Sequence, residues 1–224
     1  MRNLTLVIPA KNESESLPLV MEELKSYECK KLVILSKGDE LTHDSIKNYE
    51  CSIEYQTKSG YGNAIIEGIN KVESEYLSIF YADGSTDPKD LSKMIKKLNN
   101  QNLDFVFGSR YIKDGSTEDD GIITSIGNAI FTFTCNLLFN FKTSDVLFTY
   151  IVGKTSSFKE LKLKRNDFTL CIEIFLNAKK NNNKIGEVPC EERKRFGGKK
   201  KVNEIVDGFK ILIYILFSFL KRSQ

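Results

Sequence analysis

Residues 76–85 read YLSIFYADGS, and this stretch is the strongest single indication of the fold in the sequence. Its first half is a short apolar run, typical of a strand buried on both faces of a parallel sheet. The run ends in a polar turn that contains Asp83, Gly84 and Ser85. Because ligands of open α/β sheets bind beyond the carboxyl ends of the strands, this turn is the first place to look for a functional site.

The same pattern recurs on both sides of this stretch. Strand-like runs lie at residues 4–8, 31–35, 52–55, 103–107 and 185–189, and helical spacing of apolar residues lies at 13–26, 60–72, 88–98 and 166–180. Strands and helices alternate through the first half of the chain. This alternation predicts an α/β fold, a doubly wound and mostly parallel sheet flanked by helices.

Composition narrows the class of protein. The chain has 224 residues, a net charge of +3 and 41% hydrophobic residues, so it can bury a core but carries too little charge to indicate nucleic-acid binding. His43 is the only histidine, which excludes a histidine-cluster metal site. Five scattered cysteines without a CxxC pair favour free thiols over a zinc ribbon or a disulfide framework. The N-terminus lacks a signal-peptide pattern, so we expect synthesis in the cytosol without export.

Asp83 is the strongest candidate for chemistry. A carboxylate at the tip of a buried strand, with the Ser85 hydroxyl two residues on, can hold a divalent cation while phosphates supply the other ligands. The alternative, a helix N-cap, suits Asp87 before Pro88 better than it suits Asp83. The sequence therefore predicts Asp83 and Ser85 as ligands of Mg²⁺ or Mn²⁺.

Residues 193–201, RKRFGGKKK, form a basic segment with a Gly-Gly pair. Guanidinium groups and exposed backbone amides suit diphosphate oxygens. The alternative is a solvated basic patch that touches anionic lipid or RNA without specificity. Composition by itself favours that alternative.

Three further features are open to two interpretations each. Residues 58–64, KSGYGNA, indicate either an anion site at a helix start or a helix start alone. Residues 203–224 are predicted to form an amphipathic helix, which lies either at a membrane interface or against the core or a second copy. The expected division of the chain is a domain at residues 1–202, followed by this helix. Asp145 and Glu173 are isolated carboxylates, and either is a candidate base or a surface acid.

The order of the motifs resembles family 2 glycosyltransferases with the GT-A fold. IPAKNE (8–13), GYGNA (60–64), YADGS (81–85) and GSRY (108–111) are similar to four elements of that family, and EVP (187–189) with the basic segment looks like a fifth. The last two elements resemble the polyprenyl-phosphate sugar transferase branch, the dolichyl-phosphate mannose synthase-like enzymes. The resemblance covers residues 4 to 210.

The resemblance implies an inverting glycosyltransferase of cell-envelope polysaccharide synthesis, which takes a UDP- or GDP-sugar and Mg²⁺ or Mn²⁺. Its acceptor would be a polyprenyl phosphate or a glycan at the cytoplasmic membrane face, with peripheral membrane contact, no nucleic acid and an oligomeric state left open. Two positions, Asp145 and Arg110, would be catalytic. The positions that would bind the donor nucleotide or diphosphate are Pro9, Lys11, Glu13, Asp39, Gly60, Gly62, Arg193, Arg195 and Lys200.

Two departures from the family pattern leave other functions open. Tyr81 replaces the first acid of the Asp-x-Asp motif, and the acid expected after the second strand is displaced to Asp39. These losses allow a catalytically degenerate homologue that binds nucleotide-sugars as a partner or scaffold. A third hypothesis is a peripheral membrane protein whose basic segment adheres to anionic lipid.

Overall fold

A seven-stranded mixed sheet forms the centre of the fold. This computed structural model describes residues 2–198 and 201–222. The strands of the sheet are β1 (Leu4–Ala10), β2 (Lys30–Leu35), β3 (Ser52–Tyr55), β4 (Tyr76–Ile79), β5 (Phe105–Ser109), β7 (Ile151–Lys154) and β8 (Ile185–Pro189). A separate two-stranded ribbon pairs β6 (Ser116–Thr117) with β9 (Glu191–Glu192).

The strands follow the order β3-β2-β1-β4-β7-β5-β8. Every pairing in this sheet is parallel except those of β7, which runs antiparallel between β4 and β5. The mostly parallel sheet is therefore confirmed. The sequence pattern did not predict β7, because Gly153 and Lys154 end its apolar run after two residues.

Helices cover both faces of the sheet. They are α1 (Leu17–Leu24), α2 (Glu40–Ile46), α3 (Tyr61–Lys71), α4 (Asp90–Asn100), α5 (Ile122–Phe139), α6 (Thr155–Glu160), α7 (Leu170–Lys180) and α8 (Glu204–Arg222). Alternate residues of β1 belong to two hydrophobic cores, one on each face of the sheet. Val7 packs with α3 and α7, whereas Leu6 and Ile8 pack with α1 and α4. This division follows from the twofold period of a strand.

Helices α5 and α8 lie side by side and run in the same direction. Three contacts occur in the same order along both: Thr124 with Glu204 (2.6 Å), Phe131 with Gly208, and Phe139 with Phe219 (ring centroids 5.9 Å apart). Ile211 and Ile215 of α8 are buried in the core. By length and mean hydropathy alone, α5 is the single described helix that could cross a bilayer.

Each of these two helices carries an exposed apolar stripe with the same spacing. We call the two stripes together the apolar platform. It consists of Ile122, Ile123, Ile126, Ile130, Phe133 and Leu137 of α5, and of Ile205, Val206, Phe209, Ile213, Leu216, Phe217 and Leu220 of α8. At 3.6 residues per turn, each stripe lies opposite the positions that its helix buries, so both stripes face away from the core.

Candidate functional site

The basic segment folds back over the carboxyl ends of the strands. Arg193 N–H donates to Ser85 O (2.8 Å), and Phe196 N–H donates to Asp83 O (2.8 Å). These backbone bonds place the Arg195 guanidinium 3.7 Å from the Asp83 carboxylate. The structure thus brings together two of the predicted site residues that lie far apart in the sequence.

The turn that carries Asp83 is held by local hydrogen bonds and by a covering ring. The Asp83 Oδ1 atom accepts hydrogen bonds from the backbone N–H (3.0 Å) and the hydroxyl (2.8 Å) of Ser85. Gly84 has φ +84°, and a Cβ there would lie 2.4 Å from the Phe196 ring. Glycine is required at this position both by the backbone angle and by the ring that covers it.

A divalent cation at the Asp83 turn would have one protein carboxylate as a ligand. Asp83 Oδ1 is occupied by Ser85, so Oδ2, which faces Arg195, is the oxygen left for a cation. The described residues contain no group of three His, Cys, Asp or Glu side chains arranged to hold a metal. This arrangement fits Mg²⁺ or Mn²⁺ only if substrate phosphates supply most of the ligands, as is usual for Mg²⁺. The buried Ser85 hydroxyl holds Asp83 in place.

Arg195 is held from its other side by the loop before α5. Its Nε donates to Asp119 Oδ1 at 3.0 Å, and a second guanidinium nitrogen pairs with the other oxygen of the same carboxylate. The side chain is mostly buried, and the hydrogen bond to Asp119 raises its pKa. Arg195 therefore stays charged and stands between two carboxylates.

Arg193 was expected to grip phosphates, but the structure places it in protein contacts. It makes a two-bond pair with Glu23 of α1 (3.0 and 2.9 Å) and donates to the carbonyls of Gly84 and Thr86 (both 2.9 Å). These contacts fasten the basic segment to the Asp83 turn. Arg193 thus positions Arg195 rather than facing the open side of the rim.

Glu13 lies where the basic segment crosses the end of β1. This buried carboxylate accepts from the Ser16 hydroxyl (2.5 Å) and pairs with Lys201. Burial, with a smaller effect from Lys11, lowers the pKa of Lys201 to about 8. Pro9 and Lys11 lie at the carboxyl end of β1, where Pro9 is half-buried and Lys11 is exposed. Lys200 lies outside the described residues.

Asp39 has a structural role in this fold. Its Oδ1 accepts from Thr42 N–H (3.3 Å) and caps α2, and its Oδ2 accepts from Asn12 N–H at 2.7 Å. Both carboxylate oxygens are therefore engaged, and the side chain is buried. Asp39 joins the loop after β1 to α2, and these contacts account for the acid without a bound donor nucleotide.

Gly60 and Gly62 pack against protein at the start of α3. Gly62 N–H donates to Asn166 O (3.0 Å), and a Cβ at either glycine would lie within 2.2 Å of the carbonyl oxygen of Asn166 or Arg165. The interpretation as a helix start fits this geometry. The Gly62 amide, which was expected to contact a diphosphate, donates instead to a carbonyl of the loop before α7.

Arg110 is the centre of a buried ion network. Its guanidinium contacts Asp145 (2.7 Å), Asp120 (2.7 Å) and Glu192 (2.9 Å), and all four side chains are less than a tenth exposed. Burial acts to lower the pKa of Arg110, but the carboxylates, Asp145 first, raise it well above its ordinary value. Burial also raises the pKa of Glu192. Arg110 is thus enclosed by acids and does not reach the open rim.

Asp145 is fully buried and accepts six hydrogen bonds. Three come from Arg110, one from the Asn128 amide, and two from the backbone N–H groups of Leu147 and Phe148. Both oxygens are occupied by these donors and neither is open to the rim, so Asp145 is not placed to take a proton from an acceptor. The geometry favours Asp145 as the anchor of Arg110.

Tyr81 points inward and does not stand over Asp83. Its hydroxyl lies 2.9 Å from Thr149 Oγ1 and accepts from Thr149 N–H (2.9 Å), and Tyr61 reaches the same threonine (2.8 Å). Burial raises the pKa of Tyr81 well above its ordinary value. The first position of the motif has therefore become part of the core.

Sequence reasoning missed the acids that organise this rim. Asp119 and Asp120 lie in a loop that the sequence showed only as acidic and glycine-containing, and Glu192 lies just before the basic segment. Asp119 binds Arg195, and Asp120 and Glu192 bind Arg110. Their proximity to the arginines in space was the missing signal, and a single sequence does not contain it.

Comparisons with known proteins agree with this architecture. A UDP-N-acetylglucosamine–dolichyl-phosphate N-acetylglucosaminyltransferase of Methanococcus voltae is 26% identical over 94% of this chain and 94% of that protein. An uncharacterized glycosyltransferase of Mycobacterium tuberculosis is 23% identical over 93% of this chain and 94% of that protein.

The same fold occurs in solved structures. Glucosyl-3-phosphoglycerate synthase from Mycobacterium tuberculosis, crystallised with Mn²⁺, uridine diphosphate and phosphoglyceric acid, aligns with a TM-score of 0.75 at 13% identity, over 97% of this chain and 78% of that one. A second crystal structure of that enzyme, with Mn²⁺ and UDP-glucose, aligns with a TM-score of 0.74. This likeness confirms the GT-A fold.

The family itself follows from the sequence match. The model of the family described as Glycosyl transferase family 2 matches residues 5–162, which is well over half of the chain. The match includes the Asp83 turn and Arg110, and it ends before the basic segment. The chain therefore belongs to glycosyl transferase family 2 and is a glycosyltransferase.

Proposed function

We propose that this chain transfers a sugar, with inversion, from a UDP- or GDP-sugar to a polyprenyl phosphate at the surface of a membrane. The observation that carries the proposal is the meeting of Asp83 and Arg195, 3.7 Å apart, at the carboxyl ends of the strands. A carboxylate and a guanidinium at one edge suit a metal-bound diphosphate. The relative from Methanococcus voltae supports the choice of a lipid phosphate, because its name includes dolichyl-phosphate as the acceptor.

In the proposed reaction, an acceptor oxygen attacks the anomeric carbon of the sugar. The bond between that carbon and the diphosphate oxygen breaks, and its electron pair leaves with the nucleoside diphosphate. Arg195, with Lys200 as a proposed second cation, would stabilise the negative charge that develops there. A divalent ion bound through Asp83 would supply further charge neutralisation when present.

The state of Asp145 favours a phosphate acceptor over a glycan hydroxyl. A sugar hydroxyl needs a base to take its proton, and Asp145 is buried beneath six donors. A phosphate monoester is already an anion near neutral pH and attacks without such a base. We therefore propose a lipid phosphate as the acceptor, in preference to a glycan hydroxyl.

The apolar platform supports the membrane surface as the place of reaction. Two parallel helices that each expose an apolar stripe can lie in the boundary between headgroups and acyl chains. Lys142 follows α5 and Lys221 lies in the last turn of α8, so cations flank the stripes near the same end of the pair. This charge suits the anionic leaflet of a membrane on the cytoplasmic side.

The test is direct transfer. The full chain is incubated with polyprenyl phosphate in vesicles, Mn²⁺ or Mg²⁺, and each common UDP- and GDP-sugar, beginning with UDP-N-acetylglucosamine. We expect release of the nucleoside diphosphate together with formation of a sugar-bearing lipid, and no release without lipid. Absence of transfer from every donor would contradict the proposal.

A second candidate is a binding homologue without turnover, and Tyr81 is the observation that favours it. With Tyr81 committed to the core, Asp83 is the one acid left in the motif, and Arg195 stands beside it as a permanent counter-charge. Calorimetry separates the two functions. Nucleotide binding that persists in a chelator, combined with no transfer, would favour the binding homologue over the enzyme.

A further inference from the structure

The Asp83 carboxylate keeps one oxygen that its own turn does not use. Oδ1 accepts hydrogen bonds from Ser85, whereas Oδ2 has no hydrogen-bond donor among the described residues and lies 3.7 Å from Nη1 of Arg195. The Asp83 side chain is 19% exposed, and Oδ2 shares in that exposure. A cation from solvent can therefore reach Oδ2, where it meets the Arg195 guanidinium.

The guanidinium of Arg195 is held beside that oxygen by contacts on its far side. Its Nε donates to Oδ1 of Asp119 (3.0 Å), and Nη2 pairs with the second oxygen of the same carboxylate. Asp119 thus occupies the edge formed by Nε and Nη2, and Nη1 is left facing Asp83. The backbone adds a further restraint, because the Phe196 N–H donates to Asp83 O (2.8 Å). Arg195 therefore stays between the two acids rather than extending into solvent.

This arrangement distinguishes a free cation from a cation that carries phosphates. A divalent ion on Oδ2 would lie within about 6 Å of a fixed positive charge, a spacing at which like charges repel strongly near a protein surface. The guanidinium also separates that ion from the negative charge of Asp119. The anionic oxygens of a diphosphate change the balance, because guanidinium groups form strong charge-assisted hydrogen bonds with phosphate. A diphosphate that carries the cation would thus pair with Arg195 and offset the repulsion.

We propose that Arg195 excludes the free divalent ion from Asp83, so that this site takes a cation only together with a diphosphate. Arg195 is then a specificity-determining residue as well as a stabiliser of the leaving group. The proposal requires cation and nucleotide to bind cooperatively, and by linkage each raises the affinity of the other by the same factor. For the identity of the diphosphate, this inference rests on the proposed function. The exclusion of the free ion depends only on the contacts of Arg195.

The exclusion is tested by titrating the full chain with Mn²⁺ alone, without nucleotide, while electron paramagnetic resonance measures the free ion. Arg195→Gln removes the guanidinium charge, and Lys194→Gln removes an equal charge from the exposed neighbouring position. We expect Arg195→Gln to bind Mn²⁺ about tenfold or more tightly than the wild type, and Lys194→Gln to change the affinity by less than about threefold. If Arg195→Gln binds Mn²⁺ no more tightly than Lys194→Gln, the proposal is overturned.

Two further variants identify the oxygen and the cause. Asp83→Ala combined with Arg195→Gln should lose the gained Mn²⁺ affinity, because the carboxylate that accepts the ion is gone. Arg195→Lys keeps a positive charge and should bind Mn²⁺ as weakly as the wild type does. Thermal unfolding first checks that each variant is folded. A gain that persists in the double variant, or that occurs equally in Arg195→Lys, would contradict the exclusion of the ion by a charge beside Asp83.

The same titration with saturating UDP or GDP separates this inference from the proposed function. In the wild type, a bound nucleotide should tighten Mn²⁺ binding about tenfold or more, and in Arg195→Gln by a smaller factor, because no charge remains to be offset. Equal factors in the two chains would overturn the proposed coupling. If no nucleotide binds but Arg195→Gln gains Mn²⁺ affinity, the exclusion is supported and the transferase proposal fails. Sugar transfer by the wild type without any such gain supports the transferase and refutes the exclusion.

Discussion

At the scale of single residues, the site depends on a few close approaches between distant parts of the chain. Arg195 reaches Asp83 because the Arg193 and Phe196 amides are bonded to the Asp83 turn. Arg193 itself is pinned by Glu23. These contacts hold the described part of the basic segment against the Asp83 turn, and Arg193 and Arg195 differ in their partners.

Replacement of Asp83 tests the proposed metal contact. Asp83→Ala should lower nucleotide-sugar affinity at least tenfold in Mn²⁺ buffer, equivalent to about 1.4 kcal/mol, and by less in a chelator, because only the first condition includes a cation bridge. Calorimetry in both buffers measures this difference. Asp44→Ala, at an exposed acid of α2, is the matched control and should bind as the wild type does. Equal losses in both buffers would show that Asp83 does not contact a metal.

Gly84 and Gly38 form a matched pair for the turn. Both have positive φ, but a Cβ at Gly38 meets nothing within 4 Å, whereas at Gly84 it meets the Phe196 ring at 2.4 Å. Gly38→Ala should cost about 1 kcal/mol of unfolding free energy from the backbone angle. Gly84→Ala should cost a further 1–3 kcal/mol or so, because the ring must move.

Denaturant unfolding measures both costs, and nucleotide binding adds a second readout. Displacing Phe196 also displaces Arg195, so Gly84→Ala alone should weaken binding. Equal stability of the two variants would mean that the basic segment does not lie on the turn in solution.

At the scale of elements, the pairing of α5 with α8 creates a surface that neither helix offers by itself. Each helix has a buried side and an opposite apolar stripe, and their parallel packing aligns the stripes. The sequence predicted an amphipathic helix at the C-terminal end, and α5 is read from the structure. The sequence did not show that the two were neighbours.

Phe217→Glu tests the platform as a membrane surface. A charge at this exposed position should reduce partition into anionic vesicles about tenfold, the equivalent of ~1.4 kcal/mol. Leu41→Glu, on exposed α2 away from the platform, should leave partition unchanged. Vesicle sedimentation measures partition, and sedimentation velocity measures oligomeric state. If Phe217→Glu instead dissociated a dimer and left partition unaltered, the platform would be an interface between copies.

At the scale of the whole molecule, α8 completes the core although it comes last in the sequence. Ile215 is fully buried and Ile211 is 4% exposed, within the core on the α3 and α7 side of the sheet. Because α8 contributes these two side chains to the core, we expect it to unfold together with the rest of the chain. We infer that the expected boundary at residue 202 marks the start of an element rather than the end of an independent domain.

Two isoleucines of α8 test this integration. Ile215→Ala should cost about 2–5 kcal/mol of unfolding free energy, the usual range for a large buried side chain. Ile213→Ala, half exposed on the platform, should cost less than about 1 kcal/mol. A chain ended at Asn203 loses both buried isoleucines and should unfold at a much lower temperature. If it melted like the full chain, α8 would be a detachable appendage.

Local patterns along the chain were enough to predict the alternating strands and helices and the polar turns at the strand ends, and they single out Asp83 as a candidate for chemistry. These features depend on local periodicity and on residues within a few positions of one another, which a single chain displays directly. Family motifs added the transferase function, because their order along the chain is itself sequence information.

Which charges meet became visible only in the folded chain. The tertiary structure placed antiparallel β7 inside a parallel sheet, enclosed Arg110 and Asp145 among acids, and directed Arg193 to Glu23 and Arg195 to Asp83. Ion pairs and buried networks join residues from distant segments, and their partners depend on packing rather than on spacing. For this reason the sequence could name the candidate residues, but not separate those that face a ligand from those that hold the fold together.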